Sequence, residues 1–163
     1  MKKLFIITSF AISAFLTSCG GSDQSSTETP ATQEESKSTD QDAPPAYDAK
    51  RGEGKYTAEN TQIADKLDPA MAAEGEKIAT VKCFSCHKIT GEKLVGPGWK
   101  DVTKRHTAEW IMNFITNPDP MINKDPAVQA LLEICLVRMP NQNLGGDDAR
   151  KIYEFQRKND GVK

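Results

Sequence analysis

Apolar residues along this chain fall into one continuous run, one long gap and then a series of stripes at helical period. The run is Leu4 to Leu16, with Phe5, Ile6, Ile7, Phe10, Ile12 and Phe15 among few polar positions. From Gly20 to Lys50 the chain is mostly Ser, Thr, Gln, Glu, Asp and Pro, with no large apolar side chain before Tyr47. From Leu67 onward the spacing becomes that of amphipathic helices. Asp68 can cap a helix whose first residue is Pro69, and Met71, Gly75, Ile78, Ala79 and Lys82 share a face leading up to Cys83. Gly75 inside that helix costs roughly 1 kcal/mol relative to alanine, which points to a close crossing there. Thr107 begins a second helix with Trp110, Ile111, Phe114 and Ile115 as its apolar set. It ends at Asn117-Pro118, because the residue before a proline resists the helical region. Residues 117–120 read as a turn. A third helix starts at Pro126 and puts Val128, Leu131, Leu132, Cys135 and Leu136 on one buried stripe. A fourth covers Asp148 to Lys158, opened by Gly145 or Gly146. Its acidic start suits the positive end of the helix dipole, and Ala149, Ile152 and Tyr153, with Phe155 beside them, form its face. Glycines and proline make Lys88 to Trp99 a loop. The expected fold class is all-α.

The zones differ in character. Lys2 and Lys3 followed by the short apolar run read as a secretory signal over residues 1–18, too short for a membrane-spanning helix. It ends in Leu16-Thr17-Ser18-Cys19, which resembles the lipobox of bacterial lipoproteins. That resemblance implies cleavage before Cys19 and acylation of it. Several chains on one residue would make a stable anchor. An ordinary secretory signal with an incidental cysteine is the alternative. Residues 19–66 then form a lipidated cysteine and a flexible acidic linker, which cannot bury enough apolar surface to offset its ordering entropy. Within it, residues 51–66 read as linker or as a loosely packed arm. The reach of such a tether is about 35–40 Å by random-coil scaling. It would let a domain search for partners near a membrane, or simply hold it clear of the lipid. Residues 67–163 are expected to form one folded domain. The 163-residue chain has a net charge of −2, and from Leu67 onward fourteen basic residues stand against thirteen acidic ones. Nothing in that balance marks a nucleic-acid partner.

Chemistry concentrates at Cys83-Phe84-Ser85-Cys86-His87. A Cys-x-x-Cys-His run is the attachment signature of a c-type haem. The two-residue gap keeps both sulfurs within one turn of backbone, and the histidine that follows can take an axial position on the iron. A redox dithiol would need a βαβ pattern, which is absent. A structural zinc site needs four ligands, and only Cys135 and His106 follow, at unfitting spacing.

From about Asp68 to its end the chain resembles a small class I cytochrome c. The resemblance implies four to five short helices around one covalently bound haem, with Gly75 crossing the last helix against Tyr153 or Phe155. It implies that the Pro97 carbonyl accepts a hydrogen bond from the second nitrogen of His87, a plain turn proline being the alternative. Arg105 and Trp110 resemble groups beside the haem propionates, although a surface charge and a core indole would look the same. The sixth ligand is expected to be Met139, whose Met-Pro context just before the final helix matches the family. Met121, expected in a turn, and His106, expected as an exposed boundary residue, are the rivals. A histidine there would lower the potential relative to a thioether. Cys135 is expected to be a small buried hydrophobe, with a redox or intermolecular role as the alternative.

With both axial positions filled, the implied role is outer-sphere transfer of one electron at a time and not enzymatic catalysis. The resemblances together imply a membrane-anchored carrier on the periplasmic side of a bacterial envelope. It would be monomeric and pass electrons from a respiratory donor to a terminal reductase or oxidase. The alternative is a haem enzyme or gas sensor in which Met139 dissociates, although no distal acid–base group is readable. Lys82, Lys88 and Lys93 flank the motif and would steer an acidic partner, or form only a solvated face.

Overall fold

The computed structural model describes residues 46–163. Among these residues every regular element is a helix: α1 Pro69–Lys82, α2 Val102–Arg105, α3 Ala108–Thr116, α4 Pro118–Lys124, α5 Pro126–Cys135 and α6 Gly146–Asn159. None of them is long and apolar enough to cross a membrane. The signal segment, Cys19 and the tether up to residue 45 lie outside the described residues.

The pairing of α1 with α6 is the frame of the domain. α1 starts where Asp68 accepts a hydrogen bond from the Met71 amide at 2.9 Å, with Pro69 in the first turn. Its buried stripe is Ala72, Gly75 and Ala79, smaller than the face expected from periodicity. Small residues let the two backbones touch. A Cβ at Gly75 would stand 2.0 Å from the Lys151 carbonyl oxygen and 2.9 Å from the Ile152 amide nitrogen. The crossing partner of Gly75 is therefore the main chain at Lys151–Ile152, and not the rings of Tyr153 or Phe155.

α6 is buried on every side from Ile152 to Arg157. Glu154 is 0 % exposed. Its carboxylate accepts from Arg157 at 2.9 Å, from Arg150 and from the Asp68 amide at 2.8 Å. Arg157 in turn donates to the carbonyls of Ala64 and Asp65, both at 2.8 Å. A buried ion pair is tolerated only when its remaining donors and acceptors are filled in this way.

Two helices beyond the four expected from the pattern are present. α2 is preceded by Asp101, whose backbone is left-handed (φ 59°). Its free amides are capped from a distance, because Asp160 at the end of α6 accepts from the Asp101 and Thr103 amides and from the Thr103 hydroxyl. α4 occupies the expected turn. Pro118 does stop α3, but it sits as well at the first position of a new helix as outside one. Met121 is thus a helical residue, 0 % exposed. On α5 the stripe fails at its end. Leu136 adopts φ 59° and is 82 % exposed, so Cys135 is only half-buried. No glycine or proline announces that stop in the sequence.

The largest difference concerns residues 46–66, expected to be flexible tether up to Lys50 and linker or a loose arm over 51–66. They lie packed on the helices. Asn113 of α3 accepts from the Tyr56 amide at 2.9 Å and donates to the carbonyls of Arg51 and Tyr56, each at 3.0 Å. Tyr56 and Thr61 are buried, Thr107 donates to the Lys50 carbonyl, and Met121 lies beneath Gly52. This arm is held through polar backbone bonds to buried side chains. A hydrophobicity pattern does not register such bonds.

Candidate functional site

α1 delivers the cysteine motif. Its hydrogen-bonded turns continue past Lys82, with the Cys83 amide donating to Ala79 at 2.8 Å and the His87 amide to Cys83 at 2.9 Å. Cys83 and Cys86 are thereby held on one turn, neither in a disulfide. The loop after His87 then folds back, with the Gly96 amide donating to Cys86 and the Trp99 amide to Lys88, both at 2.8 Å. This return brings the Pro97 carbonyl to 2.8 Å from His87 Nδ1. A carbonyl can only accept, so Nδ1 carries the proton and Nε2 keeps the lone pair that could ligate a metal. A Cβ at Gly96 would stand 2.5 Å from His87 Cε1, so the loop closes over the ring only with glycine there.

Electrostatics favour uncharged groups at this point. Burial lowers the pKa of His87, and the bond to Pro97 opposes that only in part. The imidazole is therefore neutral, the form that binds metal. Burial pushes the Cys83 thiol up to about 11, against a smaller opposing effect of Lys82.

Cys83, Cys86, His87 and Pro97 open onto one cavity of about 330 Å³, walled largely by apolar groups from α1, α3, α5 and α6. Met139 lines it too, whereas Met121 and Met112 do not. His106 is not the exposed boundary residue expected. It is half-buried, stacks on Trp110 with ring centroids 3.7 Å apart and faces the same cavity beside Arg105. Burial and the adjacent Arg105 charge lower its pKa. Trp110 reaches the cavity, but its N–H is committed to Asp125 at 2.8 Å.

Phe84, Trp99 and Gln156 were given no role at the site by the sequence, and Phe155 only a helix-packing one. Phe84, Trp99 and Phe155 form an aromatic cluster, and Trp99 sits 5.7 Å from the His87 ring. Trp99 lies two residues beyond Pro97, a spacing that could have marked it. Gln156, 2 % exposed, stands in the cavity wall with its amide oxygen unpaired. Only the rotation of α6 decides that placement. Cys135 lies off the main cavity, in a smaller apolar one of about 90 Å³ that Met139 shares. Among the described residues no three carboxylate, imidazole or thiol groups cluster as a metal site.

The pattern that defines the cytochrome c family matches residues 72–159. The chain belongs to the cytochrome c family. Its structure is similar to a cytochrome c from Rhodothermus marinus, at 31 % identity and a TM-score of 0.62, over 69 % of this chain and 92 % of that one. An engineered cytochrome c from the same organism matches at 30 % identity and a TM-score of 0.61, over 69 % and 93 % of the two chains. The engineered protein bound to a carbene intermediate matches at 31 % and 0.59, over 69 % and 93 %. The protein is thus an all-α, electron-transfer haem protein, and haem c with its iron is its covalent cofactor. The residues present suit that group. They offer two unpaired thiols one turn apart, a neutral imidazole tied at its outer nitrogen, a thioether and a mainly apolar wall.

Proposed function

We propose that this cytochrome c is a monohaem carrier of single electrons between respiratory partners in a bacterial envelope, anchored to a membrane through a lipid on Cys19. The observation that carries the reading is the convergence of Cys83, Cys86, His87 and Met139 on one largely apolar cavity. Cys83 and Cys86 would hold the haem through thioethers, with His87 Nε2 and Met139 Sδ capping the iron. The haem supplies a one-electron Fe(III)/Fe(II) couple. The chain's own part is to keep that couple dry and rigid. The Pro97 carbonyl fixes the His87 ring plane and raises its basicity. Trp99 and the α3 face exclude water from the ring edge.

Met139 is favoured over Met121 because Met121 is sealed beneath Gly52, on the arm side of Trp110. Lys82, Lys88 and Lys93 lie around the motif. Lys88 is paired with Glu92, while Lys82 and Lys93 donate only to carbonyls. The two without a carboxylate are the ones expected to steer an acidic partner, so electron-transfer rates should fall steeply with salt.

The test is the visible spectrum of the matured protein and of Met139→Ala. The parent should keep its colour in denaturant, show the weak long-wavelength band of sulfur–iron ligation, and bind carbon monoxide slowly when reduced. Met139→Ala should lose the band and bind carbon monoxide at once. A colourless parent, or a band that survives in Met139→Ala, overturns the assignment. A second reading, small-molecule chemistry at an opened axial position, is favoured by the exposed Leu136–Arg138 stretch leading into Met139 and by the similarity to the carbene-bound engineered protein. Rapid carbon monoxide binding by the unaltered protein would support it. Labelling with a radioactive fatty acid, lost in Cys19→Ala, tests the anchor.

A further inference from the structure

Asp125 stands between the arm and the haem cavity. It is 1 % exposed, and its side chain receives four hydrogen bonds. Oδ1 accepts from the amides of Ala127 at 2.8 Å and Val128 at 3.2 Å, and so caps α5. A cap needs one oxygen. Oδ2 is surplus to that task, and it accepts from Trp110 Nε1 at 2.8 Å and from the Tyr47 hydroxyl of the arm. The indole and the two amides can only donate. Together with the Tyr47 hydroxyl they supply four donors, the set that suits an ionised carboxylate. Burial pushes its pKa up, but the hydrogen bonds from Tyr47, Trp110, Val128 and Ala127 outweigh that and hold it below the ordinary aspartate range. Among the described residues no salt bridge includes it.

The consequence for the cavity follows from Trp110, which lines it and is bonded to this carboxylate. A negative charge without a cationic partner lies one indole away from the haem position. Its field reaches His106, another wall residue, whose pKa it raises against the effects of burial and Arg105. In reduction the haem gains one electron from an external reductant, with no bond made or broken. A fixed negative charge nearby opposes that gain, and weakly screened surroundings amplify it.

We propose that Asp125 is a positioning residue and a fixed charge that lowers the reduction potential of the haem, oriented by Trp110 and closed off from water by Tyr47 of the arm. This rests on haem c occupying the cavity, and not on the redox partners or on Met139. Potentiometric titration of the matured full-length protein tests it. Asp125→Asn keeps the capping oxygen and removes the charge. It should shift the reduction equilibrium about tenfold toward the reduced form, which is 59 mV for one electron. Asp125→Glu keeps the charge and should stay closer to the parent than Asp125→Asn does. Tyr47→Phe removes a donor and leaves the charge less compensated, so it should move the potential the opposite way by a smaller amount. General loosening of the cavity would move Asp125→Asn and Tyr47→Phe in the same direction.

A coloured Asp125→Asn variant with unaltered ligand bands and an unchanged or lowered potential overturns the proposal. If that variant does not mature or loses its axial bands, Tyr47→Phe decides. A lowered potential supports the charge, and an unchanged or raised one overturns it. Loss of colour from the parent would instead remove the haem reading itself.

Discussion

The two sides of the haem cavity are built by opposite means. The His87 side is made from seventeen consecutive residues, 83–99, closed on themselves by backbone bonds such as Gly96 to Cys86 and Trp99 to Lys88. The Trp110 side is assembled from segments far apart in the chain. Tyr47 and the Tyr56 main chain of the arm, Asn113 and Trp110 on α3, and Asp125 at the start of α5 meet there through hydrogen bonds to buried side chains. A contiguous side can be altered one residue at a time with local results. An assembled side spreads one change through every segment it joins, because each buried polar group is the only partner of another.

The largest expected effect tests the contiguous side. Cys83→Ser with Cys86→Ser should abolish covalent pigment altogether, read as loss of haem stain on a denaturing gel. Covalent colour surviving both changes would break the comparison at its base. Next is the frame that carries both sides. Gly75→Val pushes a side chain into the Lys151–Ile152 backbone, where no rotamer offers relief. It should destabilise the domain by about 3 kcal/mol or more in denaturant unfolding. A loss below about 1 kcal/mol would show that α1 and α6 can separate freely.

Asn113→Ala tests the assembled side. It strips the arm of three hydrogen bonds and leaves the buried Tyr56 amide unpaired. A loss of about 2–3 kcal/mol is expected, together with faster proteolysis within residues 46–66, while the haem stain remains. Equal stability of parent and variant would mean that the arm contributes nothing. The smallest effect concerns acid. Burial raises the pKa of Glu154, but its bonds from Asp68, Arg150 and Arg157 prevail and hold it low. A carboxyl group depressed in the folded state contributes stability above its unfolded value of about 4.3, and that contribution is lost as pH falls through its lower folded value. Stability should therefore decline below about pH 4 more steeply in the parent than in Glu154→Gln. Parallel acid profiles would remove Glu154 from the linkage.

Legibility followed the same division. The four longest helices were readable because capping residues and apolar periods are local: Asp68 before Pro69, Thr107 before α3, Asp125-Pro126 before α5. α2 was not, since its cap is Asp160, 59 residues away from Asp101. α4 was hidden by reading Pro118 only as a stop. The arm looked unstructured because hydrophobic bookkeeping ignores backbone bonds to a buried asparagine. The same blindness put His106 on the surface, when stacking on Trp110 draws it into the cavity wall.

What the sequence determined by itself is the chemistry of attachment and the helical class. A thiol pair with its histidine, and a hydrophobic period of one helical turn, are relations between neighbours, and neighbours are held by covalent geometry. Tertiary structure alone decided that Met121 is sealed under the arm, that Gln156 stands in the cavity wall, and that a charge on Asp125 lies behind Trp110. Those are relations across many residues. They depend on how close two backbones can come at Gly75 and on where buried polar groups such as Asp125 and Asn113 find their partners.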